Sequence, residues 1–338
     1  MSQLRCAVLI LNFNGCEDTL ACLESLSVSG YPECDIIVVD NGSKDSSLAR
    51  LARWAENKNI PLERERSHVG KTRAAEFSGV PVPCKLILLE TGTNIGFAGG
   101  NNIGIKYALT EGVEYILLLN NDTVVEPGLV AQLLEVARKE NAGIVGSRIC
   151  CFDRPEHIWF IGGEFRWWNS RMRQKVAGGS EENSPILPTD WVTGCCMLVH
   201  RSVFERIGLF DENAFLYRED VDFCERAAEV GIRRVVAAGT TIYHKVSRSA
   251  GEDTPFTWYH TTKSRLYFHR KHHSAHSHVA FLALFLFSRV ARSLVWLLLG
   301  RMDLVRATWC AMFDAYGRRK FGSKRFRSAV DCGGLVPK

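Results

Sequence analysis

Three carboxylates crowd four positions at Glu219, Asp220 and Asp222. Crowding and burial raise a carboxylate's pKa, which suits a general base. The plainer alternative is a solvated first helical turn, where acids favour the helix dipole. A further acid, Asp122, closes Asn120-Asn121-Asp122 directly after the apolar run at residues 115–119. A carboxylate at the end of a buried strand suits a hard divalent cation whose shell phosphate oxygens complete. Asn and Asp also serve there as plain caps ahead of Pro127. His244 follows a β-rich stretch and becomes a candidate ligand if the fold carries it to Asp122.

The elements that must position these groups are legible as alternation. Short apolar runs at 7–11, 35–39, 86–89 and 115–119 are separated by helical patterns at 17–26, 46–57, 99–109 and 127–140. Buried strands with intervening helices imply an α/β fold with a mostly parallel central sheet covered on both faces. Ligands of such sheets sit at the carboxyl ends of the strands. At those ends stand Asn12-Phe13-Asn14, Asp40-Asn41-Gly42-Ser43, Asn94-Ile95-Gly96-Phe97 and Asn120-Asn121-Asp122. Turn chemistry explains any one of them; four along one edge point to a binding site. Residues 159–188 read as loop, and a strand at 233–237 leads towards His244. The composition then shifts to His, Arg and large apolar residues, which places a boundary near Ser247 and divides the chain into 1–246 and 247–338.

Two signals are set aside. Gly70-Lys71-Thr72 lacks the earlier glycine of a phosphate loop, because that position is Glu65. His269, His272, His273, His276 and His278 are mixed with Arg270 and Lys271, which predicts a charged surface rather than a metal site.

Taken in order, Ala7-Val-Leu-Ile-Leu-Asn-Phe-Asn-Gly15, Ile36-Ile-Val-Val-Asp-Asn-Gly-Ser-Lys-Asp45, Asn94-Ile-Gly-Phe-Ala-Gly-Gly-Asn-Asn102, Leu117-Leu-Leu-Asn-Asn-Asp-Thr123 and Glu219-Asp-Val-Asp222 resemble family 2 glycosyltransferases of the GT-A fold. The nearest subgroup is the bacterial rhamnosyltransferase-like one. The resemblance covers about residues 5–245. It implies that Asn12, Asn14, Asp40, Asn94, Gly96, Asn101 and Asn121 bind the nucleotide-diphosphate sugar donor. Glycines there permit close approach, and a helix start favours phosphate. It implies that Asp122 holds Mg2+ or Mn2+, with His244 and Glu219 holding the metal or orienting the donor. Asn120 replaces the first acid of the family's Asp-x-Asp motif, leaving one fewer anionic ligand. Asp220 is then the catalytic base of an inverting single displacement, in which the cation stabilises the leaving nucleotide. Trp191, Thr193 and Gly194 would line the sugar and acceptor side, with Trp191 either stacked on a sugar or placed in the core. A dTDP-rhamnose donor and a lipid-linked or polysaccharide acceptor in cell-surface glycan synthesis follow from the subgroup. Rival readings are a sugar nucleotidyltransferase, whose basic N-terminal signature residues 9–15 lack, and a non-catalytic nucleotide-sugar or glycan binding module.

Charge and composition bear on location. The chain has 338 residues, 46% hydrophobic and 23% charged, which excludes disordered, collagenous and coiled-coil classes. Residues 1–245 carry 26 Lys and Arg against 32 Asp and Glu, whereas 246–338 carry 16 against 5. A basic, apolar C-terminal third suggests an anionic surface as partner, with membrane favoured over nucleic acid. Residues 279–299 hold 13 Val, Leu and Phe but also Arg289 and Arg292. Burying the apolar set gains about 6 kcal/mol and two central arginines cost about 5–7, so spanning is not favoured. Ser288, Arg289, Arg292 and Ser293 share one face, which predicts an amphipathic helix lying in the membrane plane, with residues 281–287 as its apolar end. Packing on the catalytic domain or a homodimer is the alternative. Twelve cysteines in no framework spacing, and a first strand entered without a signal sequence, predict reduced thiols and a cytoplasmic enzyme peripheral on the inner face of the cell membrane.

Overall fold

In the computed structural model, the structure describes residues 5–27, 34–66, 85–166, 171–174, 184–245 and 254–316. The Gly178-Gly179 loop, the Gly70-Lys71-Thr72 segment, Ser247 and the basic run 318–327 lie outside them. The chain divides into two compact units. One contains Met1–Glu164, Gln174–Phe210 and Asp220–Val246; the other contains Phe165–Arg173, Asp211–Glu219 and Ser247–Lys338. The second unit therefore recruits two short stretches from the middle of the sequence besides the C-terminal third.

The first unit is built on a large mixed sheet. Its N-terminal half is parallel: β3 (Leu62–Arg66), β4 (Leu86–Glu90), β2 (Cys34–Asp40), β1 (Cys6–Asn12) and β5 (Tyr115–Asn120) lie side by side in that order. Registers Cys6↔Cys34 and Cys6↔Tyr115 bring Asn12 level with Asp40 and place Leu11 opposite Asn120. The strand runs are fully buried because α1 (Cys16–Ser27), α2 (Ser47–Asn57) and α3 (Gly96–Thr110) bury apolar residues of their own. α3 sits close to β1 because Gly100 and Gly104 leave no side chain there. A Cβ at either would lie 2.4 or 2.2 Å from Leu11 or Leu9. β3 alternates Glu63-Arg64-Glu65-Arg66, a charged edge that escapes a search for apolar runs and discourages edge pairing.

Beyond β5 the sheet turns mixed. β12 (Cys196–His200) pairs antiparallel with both β5 and β7 (Ile144–Cys151). β13 (Arg234–His244) runs parallel to β7 and pairs antiparallel with β6 (Thr123–Val125) and β11 (Ile186–Pro188). α4 (Leu129–Lys139), α5 (Arg201–Ile207) and α6 (Glu219–Glu229) complete the unit's helices among the described residues. Residues 159–188, which read as loop, instead hold the end of β8 (Arg154–Phe160) and all of β9 (Gly163–Arg166), β10 (Arg171–Gln174) and β11. Short strands with mixed composition hide such elements from periodicity.

The second unit is mainly three helices, α7 (Pro255–His272), α8 (Ala275–Leu298) and α9 (Met302–Tyr316). Thr254 caps α7 by accepting from Thr257 N, ahead of Pro255, and Ser274 caps α8 by accepting from Ser277 N. Their core includes Leu266, Phe281, Phe285, Met312 and Ala315. Two expectations are corrected here. Phe281 and Phe285 face inward rather than forming an exposed apolar end. His269 and His278 are buried, 0% and 9% exposed, rather than on a charged surface. Their Nδ1 atoms lie 3.1 Å apart, His278 Nε2 meets Tyr316 Oη at 2.8 Å, and His269 stacks on Phe281. Enclosure by those rings depresses the His269 pKa to about 4.

Candidate active site

The loops after β1, β2 and β4 interlock. Asn12 Nδ2 donates to Asp40 Oδ1 at 2.9 Å and to Ser43 Oγ, while its Oδ1 accepts from Thr19 Oγ1. Asp40 Oδ2 accepts from Ser43 N. Asn14, left-handed at φ 51°, accepts from Lys44 N through its side chain. Asn41 donates to Asn94 Oδ1 and Gly96 O and accepts from Ile95 N, and Asn94 accepts from Gly96 N. Gly42 is obligatory: at φ +79° a Cβ would sit 2.6 Å from the Thr93 backbone. Asn12 and Asp40 are therefore buried, at 0% and 2% exposure, and act as the frame that shapes the edge. Asn101 is likewise buried, its side chain donating to Phe97 O. Asn14 and Asn94 are exposed at this edge, as are Phe13 and Ile95, the latter two 44% and 40% exposed. Neither Phe13 nor Ile95 was singled out beforehand, though each stands directly after a strand or at a helix start, where an exposed apolar side chain is a usable signal.

Asp122 and His244 meet. The β13–β6 pairing sets His244 opposite Thr123, which brings His244 Nε2 to 3.1 Å from Asp122 Oδ1. Lys245 N donates to Asp122 O and secures the junction. The ring of Trp159 meets His244 edge-on at 4.9 Å. His244 Nδ1 is buried with no hydrogen-bond partner among the described residues. Asn121 donates to Gly15 O and Thr19 Oγ1, joining this corner to the β1 loop.

The acidic triplet separates into different roles. Asp222 is buried and pairs with Arg226 at 2.9 Å, and Arg226 also caps Ile207 O and Leu209 O. That is a structural clasp. Glu219 is buried as the first residue of α6. Asp220 is half-buried, its Oδ2 accepting from Gly194 N at 3.1 Å and its Oδ1 from Val221 N at 2.8 Å. Burial pushes its pKa up, and the N–H groups of Gly194 and Val221 with the Thr193 hydroxyl pull it only part of the way back. Thr193 and Gly194 thus act on the carboxylate itself. A Cβ at Gly194 would lie 3.0 Å from the Phe97 ring, so glycine lets α3 and the Asp220 carboxylate close on the same residue. Tyr217 and Arg218, ahead of α6, are consecutive left-handed residues at φ 69° and 70°. Each costs of order 1–3 kcal/mol, and such strain clusters at functional sites. Trp191 is 3% exposed, packed on Phe160 with its indole against Gly163, so its ring is a core element.

One residue links the two acids. The buried Cys195 thiol, raised well above the usual thiol range by burial, is also raised by the charges of Asp122 and Asp220. Both acids therefore lie within electrostatic reach of one atom. The arrangement offers a two-donor corner for a cation and, beside it, a carboxylate with raised proton affinity. A hard cation at Asp122 and His244 would need further oxygen ligands from elsewhere. The buried Nδ1 of His244, without a hydrogen-bond partner among the described residues, leaves that ring polar capacity to spare.

Comparison with solved structures places this architecture in the GT-A class. GalNAc-T7, crystallised with UDP, GalNAc and Mn2+, matches with a TM-score of 0.59 at 13% identity, over 78% of this chain and 48% of that one. The mannosyltransferase PcManGT of Pyrobaculum calidifontis, in complex with GDP-Man and Mn2+, matches at 0.53 and 15% identity, over 98% and 80%. The chain belongs to the glycosyltransferase-like family 2, whose sequence profile matches residues 4–269. It is 28% identical over 229 residues to the low-salt glycan biosynthesis hexosyltransferase Agl10 of Haloferax volcanii, spanning 67% of this chain and 62% of that protein. It is 29% identical to an N-acetylglucosaminyl-diphospho-decaprenol L-rhamnosyltransferase of Mycobacterium tuberculosis, over 68% and 73%. A dTDP-rhamnosyl transferase of Shigella flexneri matches at 28% identity over 44% and 48%.

Proposed function

We propose that this chain is an inverting glycosyltransferase that moves rhamnose from dTDP-rhamnose to a hydroxyl of a lipid-linked acceptor, at the cytoplasmic face of the cell membrane. The half-buried Asp220, pinned by Gly194 N–H and raised in proton affinity, carries the reading of mechanism. The names of the mycobacterial and Shigella relatives support the donor and the acceptor class.

Asp220 accepts the proton of the acceptor hydroxyl as that oxygen attacks the anomeric carbon from the side opposite the diphosphate. The C–O bond to the diphosphate breaks as the new glycosidic bond forms, so the configuration inverts. Gly194 and Thr193 hold the carboxylate in the attacking geometry. Asp122 and His244, with Glu219 assigned to the same cation by family resemblance, would hold Mg2+ or Mn2+. When bound, the cation neutralises charge developing on the leaving diphosphate. The frame of Asn12, Asp40, Asn41 and Asn94 fixes the loops along which Asn14, Gly96 and Asn121 would meet the nucleotide.

The test is donor turnover by purified protein across a panel of nucleotide sugars, with Mn2+ or Mg2+, reading released nucleotide. One deoxyhexose donor is consumed, consumption stops with chelator, and lipid extract accelerates it. Turnover of a different donor overturns the rhamnose assignment. Binding without turnover, with lipid extract present, overturns the enzyme reading in favour of a binding module.

A further inference from the structure

α8 is built inside out. Ser293, Arg289 and Arg292 face the other helices: Ser293 is buried and accepts from Trp309 Nε1 at 3.1 Å. Arg289 lies over the rings of Phe285 and Trp258, at 4.9 and 5.7 Å. Arg292 lies over Trp258 and Trp296, at 5.4 and 5.8 Å. Its apolar residues face out. Val279, Leu284, Phe287, Val290, Leu294 and Leu298 are 66%, 65%, 77%, 46%, 57% and 89% exposed. At about 100° per residue, the exposed apolar positions sweep roughly half the helix circumference. So continuous an apolar face on the outside of a folded chain marks a contact surface.

We propose that this outer face of α8 docks in the plane of an anionic lipid bilayer, sinking its apolar half-cylinder into the headgroup boundary. This goes beyond the transfer reaction and does not depend on which donor is used. Three observations select the bilayer. The 22 residues after α9 carry Arg318, Arg319, Lys320, Lys324, Arg325, Arg327 and Lys338 against Asp331 alone, a charge that complements anionic headgroups. A second copy carries the same basic tail and so offers it no opposite charge. Spanning is disfavoured because α8 packs on α7, whose Lys263, Arg265, Arg270 and Lys271 would have to follow it into hydrocarbon. Arg265 itself lies over Phe281 and Phe285 of α8, at 5.5 and 5.1 Å. The side of Arg289, Arg292 and Ser293 therefore lies towards α7 and α9, and the opposite half meets lipid.

The full chain is floated with vesicles of phosphatidylcholine, with and without phosphatidylglycerol, in the absence of donor and acceptor. Wild type co-floats with the anionic vesicles. A Phe287→Glu/Leu294→Glu double variant, altered only at exposed positions, loses about tenfold or more of that partitioning. A Val230→Glu control, at an exposed apolar residue of the other unit, floats like wild type, and all three melt alike by circular dichroism. Undiminished flotation of the double variant overturns the proposal. So does a wild type that ignores vesicles but sediments as a dimer which the double variant dissociates. With no substrate present, neither result touches the transfer reading.

Discussion

The loops after β1, β2 and β4 and the corner formed by β5, β6, β13 and α6 are both rich in Asn and Asp, yet they are built differently. In the first, Asp40 has both oxygens engaged, by Asn12 and by Ser43, and the Asn12 and Asn41 amides bind neighbouring loops. In the second, Asp122 meets one imidazole whose other nitrogen is orphaned, and Asp220 stays half-buried with raised proton affinity. Buried polar groups are tolerated when hydrogen-bonded. The first region obeys that rule completely and is a frame. The second departs from it, and there the chemistry is assigned.

The largest expected effect tests the second region. Asp220→Asn lowers turnover about a thousandfold or more while donor affinity, by calorimetry, stays within about twofold. The acid limb of kcat/KM for wild type lies above an ordinary Asp value of about 3.9, since burial raises Asp220. As pH falls through that limb the carboxyl becomes protonated and cannot accept a proton. Full turnover by the Asn variant removes the contrast between the regions. Next comes the frame. Asp40→Ala strands the Asn12 amide and Ser43 N–H and destabilises the fold by about 2–4 kcal/mol in urea unfolding. Asp122→Ala, by contrast, costs about 1 kcal/mol or less. Equal losses break the comparison.

The smallest effect calibrates it with a carboxylate that is fully engaged and outside the first unit. Burial alone would raise Asp211, but hydrogen bonds from Lys271, Tyr267 and Asn213 N–H hold it down at about 2. A folded value below the unfolded one stabilises above about pH 4, and that contribution is lost as pH falls from about 4 to 2. Asp211→Asn removes about 1–2 kcal/mol at neutral pH, measured by thermal unfolding, and nothing near pH 2.

What the sequence discloses is what is local. The runs of β1, β2, β4 and β5 and the polar residues that end them are read from neighbours in the chain, and they locate the edge of the sheet correctly. Asp122 meeting His244 is not local. It rests on β13 pairing with β6 and on a register shift in β13 between Ala237 and Thr241, which no periodicity reports. The acidic triplet is visible, but its division is not: Asp222 belongs to Arg226 only once α6 has formed and its i,i+4 face is fixed. The α8 stripe is visible too, yet a helical wheel has the same polar and apolar halves whichever half is covered. Only packing against Trp258 of α7 and Trp309 of α9 sets the direction. Trp191 shows the same ambiguity, resolved by the absent side chain of Gly163.

The pairing of β13 with β6 also sets an order of assembly. His244 is synthesised about 120 residues after Asp122, roughly ten seconds later at the rates of a translating ribosome. By then the parallel half of the sheet, from β1 to β5, has emerged and contains contacts enough to collapse. A chain that terminates before the end of β13 therefore carries the loops after β1, β2 and β4 and Asp122 but no His244 imidazole. The meeting of Asp122 with His244 is thus completed only by a chain that reaches residue 244 of 338.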